Sequence, residues 1–376
     1  MLPSSGLKIG RIFGIDIIIN ISWLFIFVLI SYSLAFTFRY DTKGFPQGIW
    51  PWVAGVVTGA VFFACVLLHE LSHSFVAKRS GIPINRITLF IFGGIAEMGE
   101  DVQSPKDELR MAIAGPLVSV VLGGIFGLLY LLLRSSGSVV IVAPLSWLFV
   151  INLFIGGFNL LPGFPLDGGR VLRSILWWIT GDLRKATRAA SVSGQMIAGL
   201  IAGIGMFLLF TPYIFSGGWL LLIGLFVYQL ARASYKQTLL RIAASDTRVR
   251  DIMYTNVPLI DANTPLTMLR QNYFAAYSLP AFPVVDRGQV IGMVSREDLY
   301  QVSPPEWDVL NAGRISRPLS ESQTVDPDMT LDKLLRTVPR GDEFMLVVEG
   351  QNILGILTRE ELMRYVETKM KLLQKG

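Results

Sequence analysis

Ala54-Gly55-Val56-Val57-Thr58-Gly59-Ala60-Val61-Phe62-Phe63-Ala64-Cys65-Val66-Leu67-Leu68-His69-Glu70-Leu71-Ser72-His73 is uncharged until its last five residues, and the next charges come only at Lys78 and Arg79. An apolar helix of about 25 residues is long enough to span a bilayer. His69-Glu70-Leu71-Ser72-His73 sits inside that helix and holds both histidines of the 376-residue chain. Residues four apart lie on one helical face. The two imidazoles can therefore share one metal ion, and Glu70 can reach a water on that metal. Ionisable side chains at membrane depth are costly and point to function. The bland alternative is a set of buried polar residues satisfied by neighbouring helices.

The composition agrees with a membrane protein. Charged residues make up 16% of the chain and the mean hydropathy is +0.52, where ordinary globular chains are about 25% charged. Charge is sparse up to residue 231 and ordinary afterwards, so a membrane domain over residues 1–240 precedes a soluble region. The net charge of +5 does not point to nucleic acid. Many Lys and Arg flank apolar segments, as topology requires, and no basic-aromatic run stands out. Cys65 is the only cysteine, which excludes an intrachain disulfide and a multi-cysteine metal site. It lies one turn before His69 and reads as a packing residue.

Six apolar segments follow in order. They are residues 12–36, the metal-motif segment, and residues 111–133, 139–161, 190–210 and 218–231. The first is too long for a signal-peptide core and lacks a cleavage signature, so it reads as a retained helix. Residues 84–98 are β-branched and aromatic with a Gly93-Gly94 pair, which predicts two strands. Strand edges cannot face lipid unpaired. This pair must lie at the interface or enter the protein near the metal, where its edge could take an extended peptide. An ordinary interfacial hairpin fits the residues equally well. Six spans put both termini on one side, and that side carries most of the flanking Lys and Arg. The positive-inside rule makes it cytoplasmic, in a multi-pass protein of the cell membrane. The metal would then sit roughly 10 Å below the cytoplasmic face.

The soluble region contains a repeat. Phe282-Pro283-Val284-Val285-Asp286 and Val290-Ile291-Gly292-Met293-Val294-Ser295-Arg296-Glu297-Asp298-Leu299 form one copy. Met345-Leu346-Val347-Val348-Glu349 and Ile353-Leu354-Gly355-Ile356-Leu357-Thr358-Arg359-Glu360-Glu361-Leu362 form the other. Each predicts strand, turn, strand, then a helix capped at Ser295 or Thr358, and two such halves should pack together.

A catalytic zinc usually has three protein ligands and an open position. With no third histidine, the ligand must be a carboxylate, from Glu97, Glu100, Asp101 or Asp167. Asp167 is favoured because it ends an apolar span in a Pro/Gly-broken segment, which is tolerated at depth where it lines a polar cavity. Helix N-capping would also suit it.

The embedded His69-Glu70-Leu71-Ser72-His73, with Asn159-Leu160-Leu161-Pro162 and Pro165-Leu166-Asp167-Gly168, resembles the site-2 protease family of intramembrane metalloproteases. The soluble region resembles a pair of CBS repeats, over residues 246–303 and 308–370. The resemblance implies about six transmembrane helices with a membrane-associated β-hairpin, followed by a soluble α/β tandem CBS domain. It implies one Zn²⁺ per chain on His69, His73 and Asp167, with Glu70 activating water and Asn159 contacting the substrate backbone or the oxyanion. Gly93 and Gly94 would belong to a hairpin that clamps the substrate as a strand. Ala114-Gly115-Pro116 matches a further family segment, but Ser119 stands where many members carry Asn. Ser295 and Asp298 match a CBS adenine-nucleotide pattern, and so does Thr358, but Glu361 replaces the second aspartate. The first nucleotide site is thus expected intact and the second weakened. Implied partners are single-span membrane proteins, such as membrane-tethered transcription regulators or anti-sigma factors, and a second copy bound through the CBS pair. The rival readings are a CBS-regulated membrane transporter or channel, a prenyl-protein processing metalloprotease, and an inactive scaffold.

Overall fold

The computed structural model describes residues 6–91, 93–98, 102–135, 138–319, 324–337, 343–350 and 352–375. The chain divides into two compact units, Met1–Tyr235 and Lys236–Gly376.

Among the described residues, six helices of the chain are long and apolar enough to cross a membrane. They are α1 (Ile21–Tyr40), α2 (Trp50–Arg79), α3 (Pro105–Leu133), α4 (Val139–Asn159), α6 (Leu183–Leu208) and α7 (Ile214–Ser245). Between α4 and α6 lies the short α5 (Asp167–Thr180). The expected spans are present, with one correction. Residues 12–19 are not helical: β1 (Leu7–Ile12) and β2 (Ile15–Ile19) form a hairpin ahead of α1. Phe13 and Gly14 both take positive φ, 51° and 76°, and make its two-residue turn. The run Ile15-Asp16-Ile17-Ile18-Ile19 is stiff at χ1 and suits a pleated strand. Asn20 then caps α1, its side chain accepting from the Ser22 N–H at 2.9 Å.

The strand pair expected over 84–98 is β3 (Ile84–Phe90) and β4 (Gly93–Met98). One sheet takes the order β1-β2-β3-β4, with β2 and β3 parallel and the outer pairs antiparallel. Its buried residues Ile15, Ile17, Ile87 and Leu89 pack on Leu71 of α2 and Met111 of α3. The sheet therefore lies on the helix that carries the metal motif.

The second unit has two sheets. One orders β6 (Ile260–Asp261), β7 (Ala281–Asp286) and β8 (Gln289–Ser295). The other orders β5 (Tyr254–Thr255), β11 (Asn352–Thr358), β10 (Phe344–Glu349) and β9 (Thr324–Val325). Each repeat is an antiparallel hairpin running into a helix, as expected. Ser295 Oγ accepts the Asp298 N–H at 3.2 Å, and Thr358 Oγ1 accepts the Glu361 N–H at 3.1 Å. Phe282, Val284 and Val294 of the first repeat share a core with Leu346 and Ile356 of the second.

Candidate functional site

The helical spacing of α2 brings His69 and His73 together, with Nε2 atoms 3.2 Å apart. Asp167 is the first residue of α5, and Leu166 holds the N-cap position without a side-chain bond. The Asp167 carboxylate instead reaches the imidazoles: Oδ2 lies 3.2 Å from His69 Nε2 and 3.3 Å from His73 Nε2. The positive end of α5 favours an anion at this position. A tetrahedral ion with ligands at about 2.0 Å holds those ligand atoms about 3.3 Å apart, so the spacing of this triangle fits zinc.

His73 Nδ1 donates to the Met111 carbonyl at 2.7 Å, which fixes its tautomer and leaves its Nε2 lone pair free. His69 Nδ1 lies 2.9 Å from the Ser119 hydroxyl, which can accept its proton when Nε2 binds a metal. Ser119 thus serves the site although it stands where many family members carry Asn. Between Met111 and Ser119 on α3 is Gly115. A Cβ there would collide with His73 Nε2 and fall 2.6 Å from His69 Nε2. The hollow beside the two imidazoles is kept open by the missing side chain. Two imidazoles, one carboxylate and a reserved hollow suit a catalytic zinc.

Glu70 follows on α2, half-buried beneath the hairpin. A Cβ on Gly94 would come 2.5 Å from Glu70 Cγ and 3.0 Å from Cδ, so the β4 backbone passes directly over this carboxylate. Gly93 begins β4 at φ 125°, a region that favours glycine. Glu97 is not part of the cluster, since it pairs with Arg86 Nε at 2.7 Å. Glu100 and Asp101 lie outside the described residues. Asn159 ends α4, half-buried, and no hydrogen bond among the described residues joins it to the ligand cluster. Cys65 is buried against Asn152 and is not part of the His69–His73–Asp167 cluster.

The loop that delivers Asp167 is pinned from two sides. The Phe164 N–H donates to the Ala190 carbonyl at 3.1 Å. The Arg173 guanidinium stacks 5.1 Å from the Phe164 ring centre, and its Nε donates at 2.8 Å to Glu108, which is fully buried on α3. Met111, Glu108 and Arg173 belong to no motif, and Gly115 stood out only within Ala114-Gly115-Pro116. Met111 acts through its backbone and Gly115 through an absent side chain. A signal for three of them is spacing: Glu108, Met111, Gly115 and Ser119 fall three and four residues apart on α3.

In the second unit, Asp298 is already engaged. Its Oδ2 accepts from the Ser295 N–H at 2.9 Å and hydroxyl at 2.6 Å, and its Oδ1 pairs with Arg317 at 2.5 Å. Thr358 lines a cleft of about 740 Å³ with Tyr254, Pro280, Arg296, Glu361 and Arg364, and Ser295 lines a smaller one of about 480 Å³.

The profile described as "Peptidase family M50" matches residues 58–139 and 134–204, and that of the CBS domain matches 249–304 and 313–368. A Mycobacterium tuberculosis protein named zinc metalloprotease Rip3 is 32% identical, over 96% of this chain and 93% of its own. A zinc metalloprotease of Methanocaldococcus jannaschii is 30% identical over 95% of each chain. The solved site-2 protease from the same archaeon is 31% identical and covers 61% of this chain and 95% of its own, with a TM-score of 0.42.

Proposed function

The chain belongs to peptidase family M50, the site-2 type of membrane zinc metalloprotease, and from this premise we propose that it hydrolyses peptide bonds within or near the membrane-spanning segments of other proteins. The observation that carries the reading is the His69–His73–Asp167 triangle, its histidines on an apolar helix and its aspartate at the start of α5, with Glu70 directly under an edge strand.

His69, His73 and Asp167 would hold the ion. Bound zinc would supply Lewis-acid polarisation of the scissile carbonyl and ease the ionisation of water. Glu70 takes the proton of the attacking water and passes it to the leaving amine. A helical substrate hides its carbonyls in its own hydrogen bonds and must unwind before attack. β4 is the outer strand of its sheet, so it can replace those bonds by strand addition. Bare glycines at 93 and 94 let the substrate backbone approach Glu70, and Asn159 contacts that backbone. The substrates are single-span proteins, such as membrane-tethered transcription regulators or anti-sigma factors. The CBS pair lies in the cytoplasm, supports a homodimer and modulates cleavage through adenine nucleotide. We place that nucleotide in the Thr358 cleft, because Asp298 is committed to Ser295 and Arg317.

The deciding experiment pairs zinc analysis with cleavage of a single-span substrate in liposomes. Wild type binds about one zinc and cleaves. Asp167→Ala loses the zinc, and Glu70→Gln keeps it without cleaving. Full activity in Glu70→Gln would remove the mechanism. Zinc retained by Asp167→Ala would move the third ligand. Ion flux without cleavage would favour the transporter.

A further inference from the structure

β1 is exposed along its whole length, with Leu7 and Ile9 at 72% and 53% exposure, and Phe13 in the following turn is 69% exposed. Among the described residues no strand pairs with its outer edge. Lys8 and Arg11 sit on the same strand, 2.7 Å and 3.5 Å from Asp16. The hydrogen bond from Lys8 holds the Asp16 carboxyl below its usual range. The turn after β1 is tied to the end of α2. Lys78 Nζ donates to the Phe13 carbonyl at 2.8 Å, the Phe13 and Phe75 rings lie 5.7 Å apart, and the Arg79 guanidinium covers Phe75 at 4.5 Å. Four cations and three bare apolar side chains therefore gather around one strand and its turn. Asp16 offsets one charge and leaves the cluster positive.

Neither bulk water nor hydrocarbon suits such an edge. In water, an apolar strand with a free edge invites association with other chains. In hydrocarbon, its outward N–H and C=O groups would go unsatisfied. The headgroup layer meets both needs: phosphates and water for the backbone and the cations, and the acyl boundary for Leu7, Ile9 and Phe13. The hairpin also joins α2 at Phe75 and Lys78, shortly after His73, where a helix that carries its metal motif near one end would leave the hydrocarbon. We infer that the β1 edge and the end of α2 form a docking surface for the headgroups of anionic phospholipids.

The test uses the full chain in liposomes. A Cβ at Gly10 meets nothing within 4 Å, and Cys65 is buried. Gly10→Cys thus offers one accessible thiol for an environment-sensitive dye. The labelled chain is placed in phosphatidylcholine alone, or with phosphatidylglycerol added, each with a headgroup-attached quencher. Quenching should rise several-fold with phosphatidylglycerol. Lys8→Gln combined with Arg11→Gln should abolish most of that rise, since each charge contributes roughly fivefold to binding, with zinc content unchanged. A dye that stays in water in both bilayers overturns the inference. So does quenching that ignores phosphatidylglycerol. Shielding that appears only when an extended peptide is added would also overturn it, making β1 a peptide-binding edge.

Discussion

At the scale of single residues, the site rests on one side chain that is absent. Gly115→Ala would put a methyl group where both Nε2 atoms converge. We expect the variant to fold, as judged by circular dichroism, but to hold far less zinc by elemental analysis. Ser119→Ala is milder. Removing an outer partner of a ligating histidine typically costs about 10- to 100-fold in metal affinity or activity, and a chelator competition titration should find a loss in that range. Unchanged affinity would mean that the Ser119–His69 contact does not orient the ring. His69, Glu70, His73 and Asp167 were legible in the sequence because they are metal-ligating and proton-accepting residue types at recognisable spacing. Met111 was not, since a backbone carbonyl leaves no chemical mark, and Gly115 was legible only within Ala114-Gly115-Pro116, which does not say what the missing side chain keeps open.

Among the elements, β4 and α5 bear on catalysis and on the metal respectively. Gly94→Ala drives a methyl group against Glu70 and must lift the strand or turn the carboxylate. A misplacement near 1 Å can cost about a hundredfold in rate. Cleavage should fall on that order while zinc stays bound, because the ligands lie on α2 and α5. α5 is held on α3 by Arg173 and Glu108. Breaking a buried pair by removing one partner costs about 3–5 kcal/mol, so Glu108→Gln should lower thermal stability in detergent and loosen zinc together. A variant that melts like wild type would deny the pair this role. The long apolar segments were readable because length and lack of charge suffice for a membrane helix. The β1–β2 hairpin was not, because an apolar β-branched run looks alike in a strand and in a helix. The turn at Phe13-Gly14 and the cap at Asn20 decide it.

For the whole molecule, the metal unit and the repeat unit were both visible in outline, from the charge shift and from the duplicated hairpins. Which cleft takes the nucleotide was not visible. Arg317 folds back on Asp298, a contact that no motif within one repeat encodes. The motif alone would rank the Asp298 cleft first, whereas the larger cleft, about 740 Å³ against about 480 Å³ beside Ser295, is the one lined by Thr358, Arg296 and Arg364. Ligand that binds only the folded state stabilises it by about 2.7 kcal/mol at a hundred times Kd. ATP should therefore raise the melting temperature of the full chain, and Thr358→Ala combined with Arg364→Ala should abolish the rise. Asp298→Ala should lower the starting stability by removing its half of the Ser295 capping box and the Arg317 pair, yet keep the ATP response. The opposite pattern would return the nucleotide to the first cleft. An ATP response in melting with no change in cleavage would leave a binding site without regulation, because a ligand shifts an equilibrium only by its different affinities for the two states.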